Sequence, residues 1–442
     1  MATSIQDVLR RLGDDGIERI VLKLSDLGGS WHSIGLDAER LSEDAFHHGI
    51  SFEVAASEAW PAALPRSLTV RPDPTTAWID PFLTPRSLSL IGSFQVPAGT
   101  VDGLRHCPRS LAARAMAHLG STGLADGARF ATESDFFVFE EVTCHSDASG
   151  DGCRVIPGEP PPEAFRQELL LTLEALGIAV GPSSAPPAGP RQTLALQSAD
   201  LLRAADNLMV ARYVVRHGAR RHGRTATFLP KPLPAPLCAG LAVHQSLFKA
   251  GHPLFFGEGT YADLSQTARW YVGGLLHHGA SLAAFSNCGT NSYRRLASGP
   301  QAPTRLSYAR HDPSTVIGVP PTGEDPWHRQ VMARQGDGLA NPYLAFSAML
   351  LAGLDGLCRQ LDPGPPCDRE ASAGAATPDR TAALPRDLTG SLDALAADHA
   401  YLLAGGVFPS ELIQHWIGTK RQEVEAVEER PHPHEFSLHP NA

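Results

Sequence analysis

Apolar positions recur at helical spacing from the start of the chain. Ile5, Val8, Leu9 and Leu12 fall on one face before Asp14, Asp15 and Gly16 interrupt the pattern. The next run, Ile20 to Leu24, is short and continuous, as a buried strand requires, and ends at Ser25, Asp26 and Gly28. From there to about residue 100, short apolar segments alternate with Pro and Gly, as in Arg71-Pro72-Asp73-Pro74-Thr75-Thr76, which predicts a small mixed sheet.

Beyond this region the elements lengthen. Phe130 to Phe139 reads as a strand, and Phe165, Leu169, Leu173 and Leu176 mark a helix face closed by Gly177. Leu202, Ala205, Met209 and Tyr213 give the stripe of a second helix, followed by a strand at Ala226 to Leu229 and then Pro230-Lys231-Pro232. Cys144 to Pro162 and Cys367 to Pro385 are rich in Gly, Pro, Ser, Asp and Ala without periodicity, and are read as surface loops.

With 442 residues, 43% of them hydrophobic, the chain can bury at least two cores. A formal net charge of -10 with scattered arginines gives no basic field for a nucleic acid backbone. No apolar run approaches the roughly 18 residues that span a bilayer, and the first helix lacks a signal-peptide core, so a cytoplasmic protein with no membrane partner is expected. Seven cysteines without closely spaced pairs predict reduced thiols. Cys144-His145 with Asp147, Asp151 and Cys153 carries zinc-type donors, but its spacing matches no compact finger. The His47-His48 and His277-His278 pairs are unspecific, because adjacent side chains point in different directions.

Five segments in order are more specific: Arg71-Pro72-Asp73-Pro74-Thr75-Thr76, Glu133-Ser134-Asp135-Phe136-Phe137, Thr225-Ala226-Thr227-Phe228-Leu229-Pro230-Lys231-Pro232, Asn291-Ser292-Tyr293-Arg294-Arg295-Leu296 and Asn341-Pro342-Tyr343-Leu344. With Pro433-His434-Glu435-Phe436 near the end, they make the chain resemble the glutamine synthetase family over nearly its whole length. The resemblance implies an α+β protein: a small N-terminal β-grasp-like domain, residues 1–102, and a large C-terminal glutamine synthetase catalytic-type domain, residues 103–442, with a curved antiparallel sheet and flanking helices. It also implies a homo-oligomer of hexameric rings stacked into a dodecamer, with sites between subunits.

The family activates a carboxylate by phosphorylating it from ATP between two divalent metals, each held by three protein ligands that are mostly carboxylates. Glu133 and Asp135, two apart on a strand, project from one face and match two of those acids, although both also suit a polar strand end. The other metal positions are altered. No Asp or Glu lies between Glu174 and Asp200, and the counterparts fall near Pro186 and at Leu194 beside Gln192. The family's metal-binding His aligns with Ala242, and its last metal carboxylate with Met332. His244 is either a substrate contact or a hydrogen-bonded core residue. Both phosphate-handling arginines are missing from Asp312–Gly318, and the mobile-loop Glu aligns with Gln301.

The substrate end is better kept. Arg295 and Arg334 match the arginines that hold the substrate's carboxylates, unless they pair with Glu133, Asp135 or Asp337. Glu53 aligns with the Asp that deprotonates ammonium. Candidate catalytic residues are therefore Glu53, Glu133 and Asp135; candidate substrate contacts are Arg295, Arg334, His244, Asn291 and Tyr293; no metal ligand is assigned. No cofactor is expected, with Mg or Mn plus ATP as the residual alternative. The leading reading is a protein repurposed for amine or acyl chemistry on a glutamate-like or other carboxylate-bearing small molecule, without two-metal phosphorylation. A non-catalytic structural or regulatory member, and an ATP-dependent glutamate-amine ligase with relocated metal ligands, are the alternatives.

Overall fold

The computed structural model describes residues 4–53, 66–96, 106–147, 150–182, 189–234, 237–299, 302–321, 323, 325–368 and 382–430. Helix α1 (Ile5–Asp14) begins at Ser4, whose Oγ accepts the Asp7 amide, and buries Val8. Strands β1 (Arg19–Ser25) and β2 (Trp31–Asp37) form a hairpin, followed by α2 (Glu43–His48), β3 (Ile50–Glu53), β4 (Ser67–Pro72), β5 (Trp78–Ile79) and β6 (Ser87–Gln95). These strands make one six-stranded sheet in the order β2-β1-β6-β4-β3, with β5 paired to β6. The β1–β6 pair is parallel and the others antiparallel, which is the mixed sheet expected from the punctuated pattern. Ile20, Leu22, Leu24, Leu88 and Leu90 meet Val8 and Phe46 in its core.

The second sheet is built from longer pieces. Helix α3 (Pro108–Thr122) leads to β7 (Gly127–Phe139), the hairpin β8 (Glu141–Asp147) and β9 (Gly150–Ile156), then α4 (Glu163–Ala175), β10 (Arg191–Asp200), α5 (Leu201–Arg221) and β11 (Thr225–Thr227). Next come β12 (Leu241–Lys249), β13 (His252–Pro253), α6 (Gln266–His277), α7 (Gly279–Ser286), α8 (Thr290–Leu296), β14 (Arg305–Ala309), β15 (Thr315–Gly318) and β16 (Val331–Ala333). Helices α9 (Pro342–Arg359), α10 (Leu388–Ala397) and α11 (Ser410–Glu428) complete the described chain. The sheet order is β10-β7-β12-β16-β15-β14, with β11 on β7 and β13 on β12.

Alternation along β7 decides which face carries function. Phe130, Thr132, Ser134 and Phe136 are buried toward the core, where α5 packs against β7 and β10, whereas Arg129, Ala131, Glu133 and Asp135 point to the open face. The predicted face of α4 is present as buried Phe165, Leu169 and Leu173, with Gly177 at φ 69° just beyond the helix.

The two sheets are locked by polar contacts as well as by packing. Arg109 Nε and Nη2 donate to the two oxygens of Asp206 at 2.9 and 2.8 Å, Nη2 also reaches Asp73 at 2.6 Å, and the Tyr343 hydroxyl donates to Asp206 at 2.7 Å. Asn341 Nδ2 donates to the carbonyls of Asp26 and Leu27 at 2.9 and 3.2 Å, tying the β1–β2 turn to the start of α9.

Two expectations are corrected. The first half of the Cys144–Pro162 segment is not a loop: β8 and β9 form a regular antiparallel hairpin paired from Glu141–Ile156 to Asp147–Gly150. Within it, Cys144 opposes Cys153 and the two are joined by a disulfide, so these two thiols are not reduced. Much of Cys367–Pro385 lies outside the described residues, as do Pro186, Gln301 and the Pro433–Phe436 segment.

Candidate functional site

On the open face of the second sheet, neighbouring strands place their side chains by register. Glu133 lies opposite Ala242 of β12 and Ala195 of β10, and Asp135 lies opposite Thr193. Met332 of β16 is paired with His244. The next residue on that face is Arg334, just past β16. Together Glu133, Asp135, Thr193, Met332, Arg334 and Arg295 border a cleft of about 270 Å³.

The charged groups of the cleft are differently occupied. Glu133 keeps 51% of its side chain exposed, and its Oε1 lies 3.1 Å from His244 Nε2. That hydrogen bond, opposed by partial burial and aided by the charges of His244 and Arg334, holds the Glu133 carboxyl below its ordinary range. Asp135 is spent on the fold: Thr193 Oγ1 donates to one oxygen at 2.6 Å and the Gly240 amide to the other at 3.2 Å.

Arg295 is 8% exposed, and it donates through Nη1 to the Gln335 carbonyl at 2.7 Å and through Nη2 to the Arg334 carbonyl at 3.1 Å. Burial lowers its pKa, against the longer-range charges of Asp337, Asp135 and Cys238. Gly240 makes room for it, since a β carbon there would lie 2.7 Å from Nη2. Arg334 is half-buried, and its Nη1 donates to the Asp312 carbonyl at 2.7 Å. Burial lowers its pKa too, with Asp312 and Glu133 acting the other way. Among the described residues neither guanidinium forms a direct ion pair with Glu133, Asp135 or Asp337.

The remaining candidates stand elsewhere. Asn291 clamps the Lys231 backbone, accepting its amide at 2.7 Å and donating to its carbonyl at 3.0 Å. Tyr293 is buried, donates to Ser391 Oγ at 2.6 Å, and has its pKa pushed far up by burial. Glu53 is exposed at the end of β3 and is not among the residues that border the cleft. Thr193 was missed from sequence. The position read as facing the site, Leu194, is 4% exposed and points to the core, so its neighbour Thr193 is the residue that meets Asp135. Strand register, invisible without the partner strand, makes that difference.

An α+β chain with this sheet, carrying carboxylates on one strand and two arginines bordering the same cleft, belongs to the class of glutamine synthetase-like carbon–nitrogen ligases. Residues 105–439 match the family described as glutamine synthetase, catalytic domain. The chain is 36% identical over 474 residues to glutamine synthetase of Nostoc sp., with 99% of each chain covered, and 36% identical over 475 residues to that of Frankia alni, again with 99% of each. Identity to glutamine synthetase of Mycobacterium tuberculosis is 35% over 471 residues, covering 98% of both. The cryo-EM structure of Plasmodium falciparum glutamine synthetase shares the fold, with a TM-score of 0.88 at 20% identity, covering 99% of this chain and 98% of that one. The chain belongs to the glutamine synthetase family.

Membership corrects the expectation that no cofactor is needed. The relatives are glutamine synthetases, and that family works with Mg or Mn and ATP. The donors of this chain are a separate observation. Thr193, Ala195, Ala242 and Met332 surround Glu133 without a carboxylate among them, and both Asp135 oxygens are engaged. No group of three His, Cys, Asp or Glu side chains gathers to hold a metal among the described residues. This donor set does not fit two hard cations with three protein ligands each.

Proposed function

We propose that this glutamine synthetase-like protein is a converted family member that binds a small molecule bearing both a carboxylate and an amine, and carries out amine or acyl chemistry on it. Arg334 carries the reading: a half-buried guanidinium faces the cleft without a carboxylate partner, while Glu133 in the same cleft is held ionised. A cation and an anion lining one cleft complement a zwitterion such as glutamate. Arg334 receives the carboxylate and the ionised Glu133 holds the ammonium. Arg295 braces the backbone of Arg334 through its hydrogen bond to that residue's carbonyl.

The same reading takes residues 1–102 and 103–442 as the two domains and the assembly as hexameric rings, paired as a dodecamer in the cytoplasm. Glu53, exposed at a strand end, then acts as a base delivered to the cleft of a neighbouring subunit. No described helix is long and apolar enough to cross a membrane.

A second reading, a non-catalytic structural or regulatory member, draws support from Asp135 and Arg295, whose polar atoms are turned to the protein's own backbone and to Thr193. Titration calorimetry separates the two. L-Glutamate and related amino-dicarboxylates are expected to bind saturably, and Arg334→Gln to weaken them by about tenfold or more, the cost of one charged hydrogen-bonding group. No saturable heat with any of them overturns the first reading in favour of the second. A parallel titration with ATP and magnesium reports on the nucleotide half of the site.

A further inference from the structure

A second cavity, of about 490 Å³, lies between the β1–β2 hairpin and α5, walled by Lys23, Trp31, Arg212, Arg216, His217 and Arg220 among others. It shares no wall residue with the cleft at Glu133. We propose that this cavity is a binding site for a small multivalent oxyanion of the phosphate class.

The wall is built for negative charge. Arg212, Arg216 and Arg220 follow one another at four-residue spacing on α5, so their guanidinium groups share a helix face where like charges repel. Lys23 reaches the same space from β1. It is 4% exposed, donates to Ser33 Oγ at 3.2 Å, and lies 4.5 Å from the centre of the Tyr213 ring. Among the described residues none of these four cations forms an ion pair with a carboxylate. Asp80 acts on Lys23 and Asp337 on Arg212 through space, but neither forms an ion pair with them, and Asp337 already accepts from Asn287 Nδ2 at 3.1 Å and the Leu339 amide at 3.1 Å. Asp80 accepts from the Tyr213 hydroxyl at 3.0 and 3.1 Å, from Ser89 Oγ at 2.8 Å and from the Phe82 amide at 3.0 Å. Asp26 is taken by His32 at 2.7 Å and the Ser30 amide at 2.8 Å.

Hydrogen bonding points the same way. Arg212 is 4% exposed and donates through Nη1 to the Ala340 carbonyl at 3.0 Å, but its Nε and Nη2 are buried with no partner. Trp31 Nε1 is likewise buried and unpartnered. All three orphans belong to residues of this wall and are donors, so the protein supplies no acceptor of its own to offset them. Burial and the charge of Arg216 pull the Arg212 pKa down to about 10, which an anion would reverse. Four cationic side chains, three of them guanidinium forks, suit a tetrahedral oxyanion better than a halide, and the volume accommodates more than one phosphate group.

Calorimetry of the full chain with inorganic phosphate, pyrophosphate and a nucleoside diphosphate, with succinate as the carboxylate control, tests the assignment. Pyrophosphate is expected to bind saturably and more tightly than phosphate or succinate. The exposed-face variant Arg216→Gln/Arg220→Gln is expected to weaken it by about tenfold or more, and Arg334→Gln to leave it unchanged. A nucleoside diphosphate that binds more tightly than pyrophosphate, with the same sensitivity to the double variant, identifies a nucleotide as the phosphate source; equal or weaker binding identifies the free anion. Absence of saturation with every phosphate, or affinities that survive the double variant intact, overturns the proposal.

Discussion

Gly318 leaves no room for a β carbon, because one built there collides with the guanidinium of Arg334. Gly318→Ala is therefore expected to displace Arg334 without removing its charge. Glutamate affinity should fall several-fold in calorimetry while the unfolding midpoint in urea moves little, since the obstacle is the mobile end of a long side chain. Glu133 supplies a pH signature. Its carboxyl titrates below the ordinary value because of the hydrogen bond from His244, so the contribution of this pair to stability is present above the unfolded carboxyl pKa and is lost as pH falls through the lower folded value. His244→Phe should raise the Glu133 pKa toward normal, as read from side-chain carboxyl NMR shifts against pH. Glu133 and Asp135 were legible from their two-residue spacing alone. The locking of Asp135 by Thr193 and Gly240 was not, because it depends on partners 58 and 105 residues away.

Between elements, two junctions carry most of the testable energetics. Asp206 on α5 is buried against Arg109 of α3 and the Tyr343 hydroxyl of α9, with Asp73 closing the group from the first sheet. Asp206→Ala leaves Arg109 short of charge in a buried site and should cost about 3–5 kcal/mol in urea unfolding. Helices α6 and α9 approach through glycines. A β carbon on Gly274 would strike the Ala352 carbonyl, and one on Gly356 the Trp270 carbonyl. Gly356→Ala should thus cost about 1–3 kcal/mol, where an open helical site would gain from the same change. Strong periodicity made α4, α5 and β7 readable from sequence. The β8–β9 hairpin was hidden because its Gly, Asp and Ser content looks like a loop, and only cross-strand pairing reveals that Cys144 and Cys153 are neighbours.

At the scale of the whole molecule, family and fold were carried by five short segments in order, and the relatives extend that likeness across 99% of the chain. What the segments conveyed poorly was the working state. Family membership brings Mg or Mn with ATP back into consideration, while the chain's own cleft offers a guanidinium and a carboxylate suited to a zwitterion. If the ring assembly holds, light scattering should give a mass of many chains rather than one. Glu53→Gln should then suppress activity while leaving glutamate affinity within about twofold, because in this reading Glu53 acts as the base and the ligand's charges are held by Arg334 and Glu133. The most direct test of the account is an experimental structure of the assembled protein with L-glutamate. The account predicts ligand density with a carboxylate on the Arg334 guanidinium and the amine within hydrogen-bond reach of Glu133. Glutamate bound elsewhere, or a cleft at Arg334 that stays empty at saturating ligand, would contradict it.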